Sequence, residues 1–216
     1  MNLTQELNAF KTKFKANQPE EIKTVMAEAA TDLINTQLAE KSLSTGDKMP
    51  NFSLPNAVGK EVTLESLLTQ GAVVISFYRG GWCPYCNMEL RALQQSLPEI
   101  EAKSATLVAI SPETPDNSLS TQEKNELSFE VLSDRGNILA KQLSLVFTLP
   151  ESLRPIYNNF GIDLPAHNGD SSFELPLPAT YVIAVDGTVA YSFASADYTQ
   201  RAEPSEIIKA LDQLRE

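Results

Sequence analysis

Apolar positions near the N-terminus recur at helical spacing. Leu3, Leu7, Phe10 and Phe14 form one stripe, and Ile22, Met26, Ala29, Leu33 and Ile34 form a second. Each has the period of an amphipathic helix, and Pro19 with Glu20 and Glu21 marks where the second helix begins. Further along, the apolar residues gather into short continuous runs, the pattern of buried strands: Val73 to Tyr78, Ala105 to Ile110 and Thr180 to Val185. Shorter strands are predicted at Phe52 to Pro55 and Val62 to Leu64, around a turn at Gly59-Lys60, and at Phe129 to Leu132. Asp186-Gly187 is a hairpin turn, and Val189 to Phe193 is its return strand. Helical spacing returns in 87–97, where Met88, Leu90, Leu93 and Leu97 share a face, and in 117–127. A helix over 137–143 follows an N-cap at Ser133-Asp134. Pro204 opens a last helix with Ile207, Ile208, Leu211 and Leu214 on its buried side.

The order is strand, helix, strand, then helices, then a hairpin and a final helix. The strands at 73–78 and 105–110 flank one helix, so they form a βαβ unit and run parallel with a right-handed crossover. The fold class is α/β: a mixed central sheet with flanking helices, plus an N-terminal helical extension. The expected division is an extension over 1–43 and a main domain over 44–216. The two N-terminal helices either pack on their own domain or offer a homodimer contact, because a stripe alone says only that something covers it. Residues 144–176 form an insertion. It carries a helix from Pro150 to Phe160, then a loop over 163–174 rich in turn formers such as Pro165, Asn168, Gly169 and Asp170. So long a loop is expected to be one wall of an active-site cleft. His167 within it is expected at the surface.

The formal net charge of −11 argues against nucleic acid or an anionic membrane surface as partner. No apolar run approaches a membrane span, and MNLTQELNAFKTKF has no signal-peptide apolar stretch. The expected location is cytoplasmic. There a surface cysteine pair is kept reduced and is more often catalytic than structural.

The chain has two cysteines among 216 residues, and both stand in Trp82-Cys83-Pro84-Tyr85-Cys86. Gly80 and Gly81 end the strand before them, and a helix begins with them. A helix N-terminus carries unpaired N–H groups and about half an elementary positive charge. Both favour a thiolate, which is the nucleophile. Two intervening residues let the second sulfur attack an adduct formed on the first. Pro84 suits the first helical turn, and Trp82 and Tyr85 can shield one side. A zinc site would need two further ligands, and the chain has one His and no other Cys, so no metal is expected. A structural disulfide in so small a ring removes little chain entropy. A redox pair is the remaining reading. The first sulfur of such a pair is expected to be the exposed one, with the lower pKa. Glu89 lies one turn from Cys86 and is expected at the surface or facing the sheet.

This order, with Cys-x-x-Cys after the first buried strand and a proline before the hairpin, resembles the thioredoxin fold. The finer pattern resembles the AhpC/TSA branch of the peroxiredoxins, over about residues 44–214. Gly46-Asp47-Lys48-Met49-Pro50-Asn51-Phe52 is similar to that family's opening stretch, Ser133-Asp134-Arg135-Gly136-Asn137 to its later turn, and Pro178-Ala179-Thr180-Tyr181 to its strand before the hairpin. The resemblance implies a thiol-dependent peroxidase. It would reduce hydrogen peroxide and organic hydroperoxides through Cys83 and Cys86, without metal, flavin or haem, and be recycled by thioredoxin or a glutaredoxin-type dithiol donor. The thioredoxin likeness further implies a cis bond before Pro178, facing the cysteines. Trp82, Tyr85, Arg79 and Pro178 are then the expected substrate-facing residues.

The chain departs from the family pattern in two places. Counting back from Glu89 puts Cys86 on the family's peroxidatic cysteine and Cys83 on its threonine, whereas thioredoxin logic makes Cys83 the attacking thiol. The two resemblances disagree about which sulfur acts first, and the helix start favours Cys83. The family's downstream arginine falls near Pro178 and is absent, which leaves Arg79 or Arg201 to supply the charge. Two other readings stay open: a thioredoxin-like thiol–disulfide oxidoreductase acting on protein disulfides, and a non-enzymatic redox-sensing module.

Overall fold

The computed structural model describes residues 2–215. Two helices come first, α1 (Leu3–Ala16) and α2 (Glu20–Asn35). A small hairpin of β1 (Ser53–Pro55) and β2 (Glu61–Thr63) and a short helix α3 (Leu64–Leu68) lead into the main sheet. There follow β3 (Ala72–Phe77), α4 (Pro84–Ala102), β4 (Ala105–Ser111), α5 (Pro115–Lys124), β5 (Glu130–Ser133) and α6 (Ile138–Gln142). The insertion holds β6 (Val146–Thr148), α7 (Arg154–Asn159), α8 (Leu164–Asn168) and β7 (Glu174–Pro176). The chain closes with β8 (Ala179–Ile183), β9 (Val189–Ala194) and α9 (Pro204–Gln213).

The central sheet has strand order β5-β4-β3-β8-β9. The strands β3, β4 and β5 run parallel, as expected of the βαβ unit, and β8 and β9 run antiparallel to their neighbours. Side-chain alternation along β3 sorts the core into two layers. Val73, Ile75 and Phe77 point to a layer with α3 and α6. Val74 and Tyr78 point to the other, under α4 and α9. Ser76 lies on that second side, and so does Thr180 of β8, two residues before Val182. These two hydroxyls are therefore placed beneath α4.

The N-terminal helices are built into this core. Leu3 and Leu7 of α1 are 5% and 2% exposed and pack with α4 and α9; each such side chain contributes roughly 1.5–3 kcal/mol on burial. An Asn2/Gln5 capping box starts the helix. Ala29 of α2 packs in a third cluster with Leu149, Leu153, Ile156 and Tyr157 of the insertion. The two helices thus pack on their own chain through Leu3, Leu7 and Ala29, while Phe14, Ile22, Met26 and Leu33 are only partly buried. Ile34, predicted on the buried face of α2, is turned outward.

Other sequence expectations move in detail. The helix that starts at the cysteines continues through Pro98 to Ala102, because Leu93, Leu97 and Ile100 on one face remain buried. The segment 163–174, predicted as loop, contains α8: Asp163 caps it by accepting from Ala166 N, and Pro165 sits in its first turn. The strands β6 and β7 pair into a two-stranded sheet that sequence periodicity did not reveal, at three residues each. Leu214 lies past the end of α9 and is exposed. The bond before Pro178 is trans, since no cis peptide bond occurs among the described residues. With a trans bond the chain runs straight from β7 into β8, Leu177 N bonding to Leu145 O and Ser195 N to Pro178 O.

Candidate active site

The strand β3 ends, and the chain turns at Gly80 and Gly81 before α4 begins. Both glycines are required by close approach. Gly80 has φ +148°, and a Cβ there would lie 2.2 Å from the Trp82 indole nitrogen. At Gly81 a Cβ would come within 2.1 Å of Thr121 Oγ1. Gly81 N donates to Glu113 Oε2 at 2.9 Å, and Gly81 O accepts from Asn87 Nδ2 at 2.8 Å. Asn87 in turn accepts from Asn125 Nδ2 at 2.9 Å. The turn is therefore fixed from α4, α5 and the end of β4. Glu113 also meets His167 Nδ1 at 3.0 Å, which places His167 half-buried against the turn's support rather than at the surface.

Cys83 occupies the N-cap of α4, and Pro84 is its first residue. Cys83 makes no side-chain capping hydrogen bond, while its carbonyl accepts from Asn87 N at 3.1 Å, so the residue stands at the helix end that carries partial positive charge. Both cysteines are reduced. The expectation of a surface pair fails: Cys83 is 2% exposed and Cys86 is fully buried. The reason is the cover laid over them. Phe10 of α1 stands edge-on to Tyr85 at 5.1 Å, and Tyr85 stands edge-on to Tyr198 at 5.5 Å.

Two guanidinium groups lie at the sulfurs. Arg201 Nη2 donates to Cys86 Sγ at 3.1 Å, and its Nε donates to Glu89 Oε2 at 2.5 Å. Glu89 is 1% exposed and faces the sheet, accepting from Ser76 Oγ and Thr180 Oγ1 at 3.3 and 3.4 Å. Burial pushes its carboxyl up to about 7, against the opposing pull of Arg201. Arg79 is held differently. Its guanidinium lies 4.6 Å from the Tyr198 ring centroid and 4.9 Å from that of Trp82, and it donates to the Tyr157 hydroxyl. It has no carboxylate partner among the described residues, and its Nε is buried without an acceptor.

These charges separate the two thiols. Burial acts to raise Cys83, but a hydrogen bond from Cys86 and the charges of Arg79 and then Arg201 outweigh it, and the thiol sits at about 6. Burial raises Cys86 well above the usual thiol range, and its hydrogen bond to Cys83 and the Cys83 charge raise it further. The arrangement is one thiolate at the helix start and one protonated thiol donating to it.

Of the sequence-predicted residues, Cys83, Cys86, Arg79, Trp82 and Tyr85 come together. Pro178 lines an adjoining cavity together with Arg79. Sequence reasoning missed Tyr157, Tyr198, Phe10 and Glu113. Only Tyr157 had a signal, in the insertion read as a wall of the cleft, and it meets the Trp82 ring at 5.7 Å. No group of three or more His, Cys, Asp or Glu suited to a metal occurs among the described residues.

A profile described as the AhpC/TSA family matches residues 45–192. A putative peroxiredoxin bcp of Buchnera aphidicola is 31% identical over 104 residues, 48% of this chain and 65% of that protein. Peroxiredoxin Bcp of Escherichia coli K12 is 29% identical over 103 residues, again 48% of this chain and 65% of its own length. The match thus spans just under two thirds of those relatives. Among solved structures, a peroxidoxin BcpB from Mycobacterium tuberculosis superposes with TM-score 0.62 at 24% identity, covering 80% of this chain and 97% of the other. A mutant PrxQ of Xylella fastidiosa does so with TM-score 0.62 at 17% identity, covering 81% and 98%. At these identities the superpositions establish the fold.

Proposed function

The chain belongs to the AhpC/TSA family, and from that premise we propose that it is a thiol-dependent peroxidase in which Cys83 attacks and Cys86 resolves. The observation that carries the reading is the placement of Cys83 at the start of α4, one turn from Cys86 and within the field of the Arg79 and Arg201 guanidinium groups, which hold its thiol below the usual range. Near neutral pH the sulfur is an anion without any external base. It attacks the terminal oxygen of a hydroperoxide; the S–O bond forms as the O–O bond breaks. The leaving oxygen departs as water or an alcohol after taking up the proton that Cys83 lost on ionising. Arg79, whose charge no carboxylate offsets, stabilises the negative charge that develops on that oxygen. Cys86 then condenses with the sulfenic acid to a disulfide and releases water. A dithiol donor of the thioredoxin or glutaredoxin type returns the pair to the dithiol by exchange.

The burial of the pair favours this reading over a thiol–disulfide oxidoreductase. A hydroperoxide is small enough to slip past aromatic side chains, whereas a protein disulfide reaches a sulfur that is 2% exposed only once its cover opens. Phe10 of α1 is then part of the cover over the reactive pair, and recycling by a protein donor requires that cover to open.

Stopped-flow fluorescence tests the proposal, since Trp82 is the single tryptophan and adjoins Cys83. On mixing the reduced protein with hydrogen peroxide, a single fast phase is expected, with a second-order rate constant far above that of free cysteine. A rate no faster than free cysteine overturns the proposal. A disulfide that forms but is not turned over by any dithiol donor points instead to a redox-sensing module.

A further inference from the structure

Glu113 is 1% exposed, and a buried carboxyl group is costly unless its oxygens find partners. It finds three. Its Oε1 meets Nδ1 of His167, the single histidine, at 3.0 Å. Its Oε2 accepts from Gly81 N at 2.9 Å and from Thr121 Oγ1 at 3.3 Å. One partner lies in the turn that leads to the cysteines, one on α5 and one on α8 of the insertion.

The contact to Gly81 runs on to Cys83 in one step. The peptide group between Gly80 and Gly81 donates its N–H to Glu113, and its carbonyl accepts from Cys83 N at 3.0 Å. A single planar unit thus has the Glu113 carboxyl on one edge and the Cys83 main chain on the other. Thr121 lies so close behind Gly81 that a Cβ there would meet its hydroxyl at 2.1 Å, so the turn rests against α5. On the far side the insertion holds Glu113 and the residues after it. His167 does so twice, through its ring and through its carbonyl, which accepts from Thr114 N and from Asn117 Nδ2, both at 3.0 Å.

Reactive groups need supporting hydrogen bonds that hold them within about 0.5 Å of the productive geometry. We propose that Glu113 is a positioning residue for the attacking sulfur, and that the insertion acts on the reaction through His167, which holds Glu113 in place. The assignment rests on the peroxidase reading with Cys83 as the attacking thiol. Both residues act through the Gly80–Gly81 peptide. The place it gives Cys83 sets that sulfur's hydrogen bond with Cys86 and its distance from Arg79, the two influences that favour its ionisation most. A turn that relaxes weakens both.

The test reads two quantities on the reduced full-length chain: the midpoint of thiolate absorbance near 240 nm, and the second-order rate constant with hydrogen peroxide. A displacement of about 1 Å costs up to roughly a hundredfold, so Glu113→Ala is expected to raise the first midpoint and lower the rate by about tenfold or more. Glu113→Gln keeps an acceptor for Gly81 N and removes the charge, and is expected to restore both quantities. A midpoint that falls in both variants shows that only the charge of Glu113 mattered and overturns the assignment. So does a Glu113→Ala chain that is less stable to denaturant yet keeps the native midpoint and rate, since Glu113 then only holds the fold. Should Glu113→Ala not fold, His167 decides, because its side chain is 28% exposed and its loss leaves no large cavity. His167→Ala is expected to shift both quantities in the same directions by less, and His167→Asn, whose amide nitrogen can stand where Nδ1 stands, to restore them. Native values in His167→Ala overturn the role given to the insertion. A native chain that reacts with hydrogen peroxide no faster than free cysteine overturns the peroxidase reading, while the midpoints, which need no peroxide, still decide whether Glu113 positions Cys83.

Discussion

Arg201 and Arg79 both end beside the dithiol, and both are buried, at 5% and 2% exposure. Arg201 reaches the site from the segment before α9 and is fully occupied. It donates to Glu89, to Cys86, and to the carbonyls of Tyr198 and Gln200 at 2.5 and 2.7 Å. Arg79 reaches it from the end of β3 and meets aromatic rings, one hydroxyl and no carboxylate. The contrast separates two tasks. A guanidinium already neutralised by a carboxylate anchors what it touches, here Cys86 and the segment 198–201. A guanidinium held by ring faces keeps its charge available, and Arg79 is the stronger of the two influences on Cys83. On the proposed reading, one arginine fixes the resolving thiol and the other favours ionisation of the attacking one.

The largest expected effect comes from the sulfurs. Cys83→Ser is expected to abolish rapid reaction with peroxide, while Cys86→Ser still reacts and accumulates a sulfenic acid. Mass spectrometry after trapping with a cyclic diketone reads the difference. An adduct kept in Cys83→Ser and missing from Cys86→Ser would reverse the assigned order. Next is Arg79→Met. Removing a nearby opposite charge raises a thiol by roughly 1–3 pH units, so from about 6 the thiolate fraction, and with it the rate, at pH 7 is expected to fall by roughly twofold to a hundredfold. The loss should shrink at alkaline pH. Arg201→Met should change the rate less and the stability more, because it strands Glu89; breaking a buried pair costs about 3–5 kcal/mol. Denaturant unfolding reads this, and equal effects of the two variants on rate and stability would dissolve the contrast.

The smallest effect concerns Glu89 alone. Its carboxyl is at about 7 in the folded chain, against about 4.3 unfolded. Between those values the folded state keeps a proton that the unfolded chain has lost, so this group's contribution to stability declines as pH rises. Cys83 has the opposite sign, but its window begins only at about 6. Urea midpoints between about pH 4.5 and 6 therefore read Glu89 apart from Cys83, with Asp134, also raised by burial, adding to the decline in the same direction. Glu89→Gln is expected to flatten the decline there, and an unchanged slope would remove Glu89 from the account.

Local rules made the framework around the cysteines readable. The apolar runs of β3 and β4, the glycine break, Pro84 at a helix start and the Asp186-Gly187 turn are each decided by a few adjacent residues, and each lies where the periodicity placed it. The site's own cover was not readable. Phe10, Tyr157 and Tyr198 meet Tyr85, Trp82 and Arg79 across 75 to 119 positions of chain, and only packing brings them there. The same convergence explains why a pair expected at the surface is buried. Asp163 and Pro165 carried an N-cap and a first-turn signal for α8, but the turn formers after them hid a helix of five residues. Glu113 gave no hint of its hold on Gly81, since that contact joins the end of β4 to the turn after β3.

The central claim is that one sulfur is ionised near neutrality and the other is not. Thiolate absorbance near 240 nm, followed while the reduced native protein is titrated, measures this directly. One thiolate is expected to appear with a midpoint at about 6, and the second only far into the alkaline range. In Cys86→Ala that first midpoint should rise, because Cys83 loses the hydrogen bond of its neighbour. Two thiols that titrate together near the value of free cysteine would contradict the account.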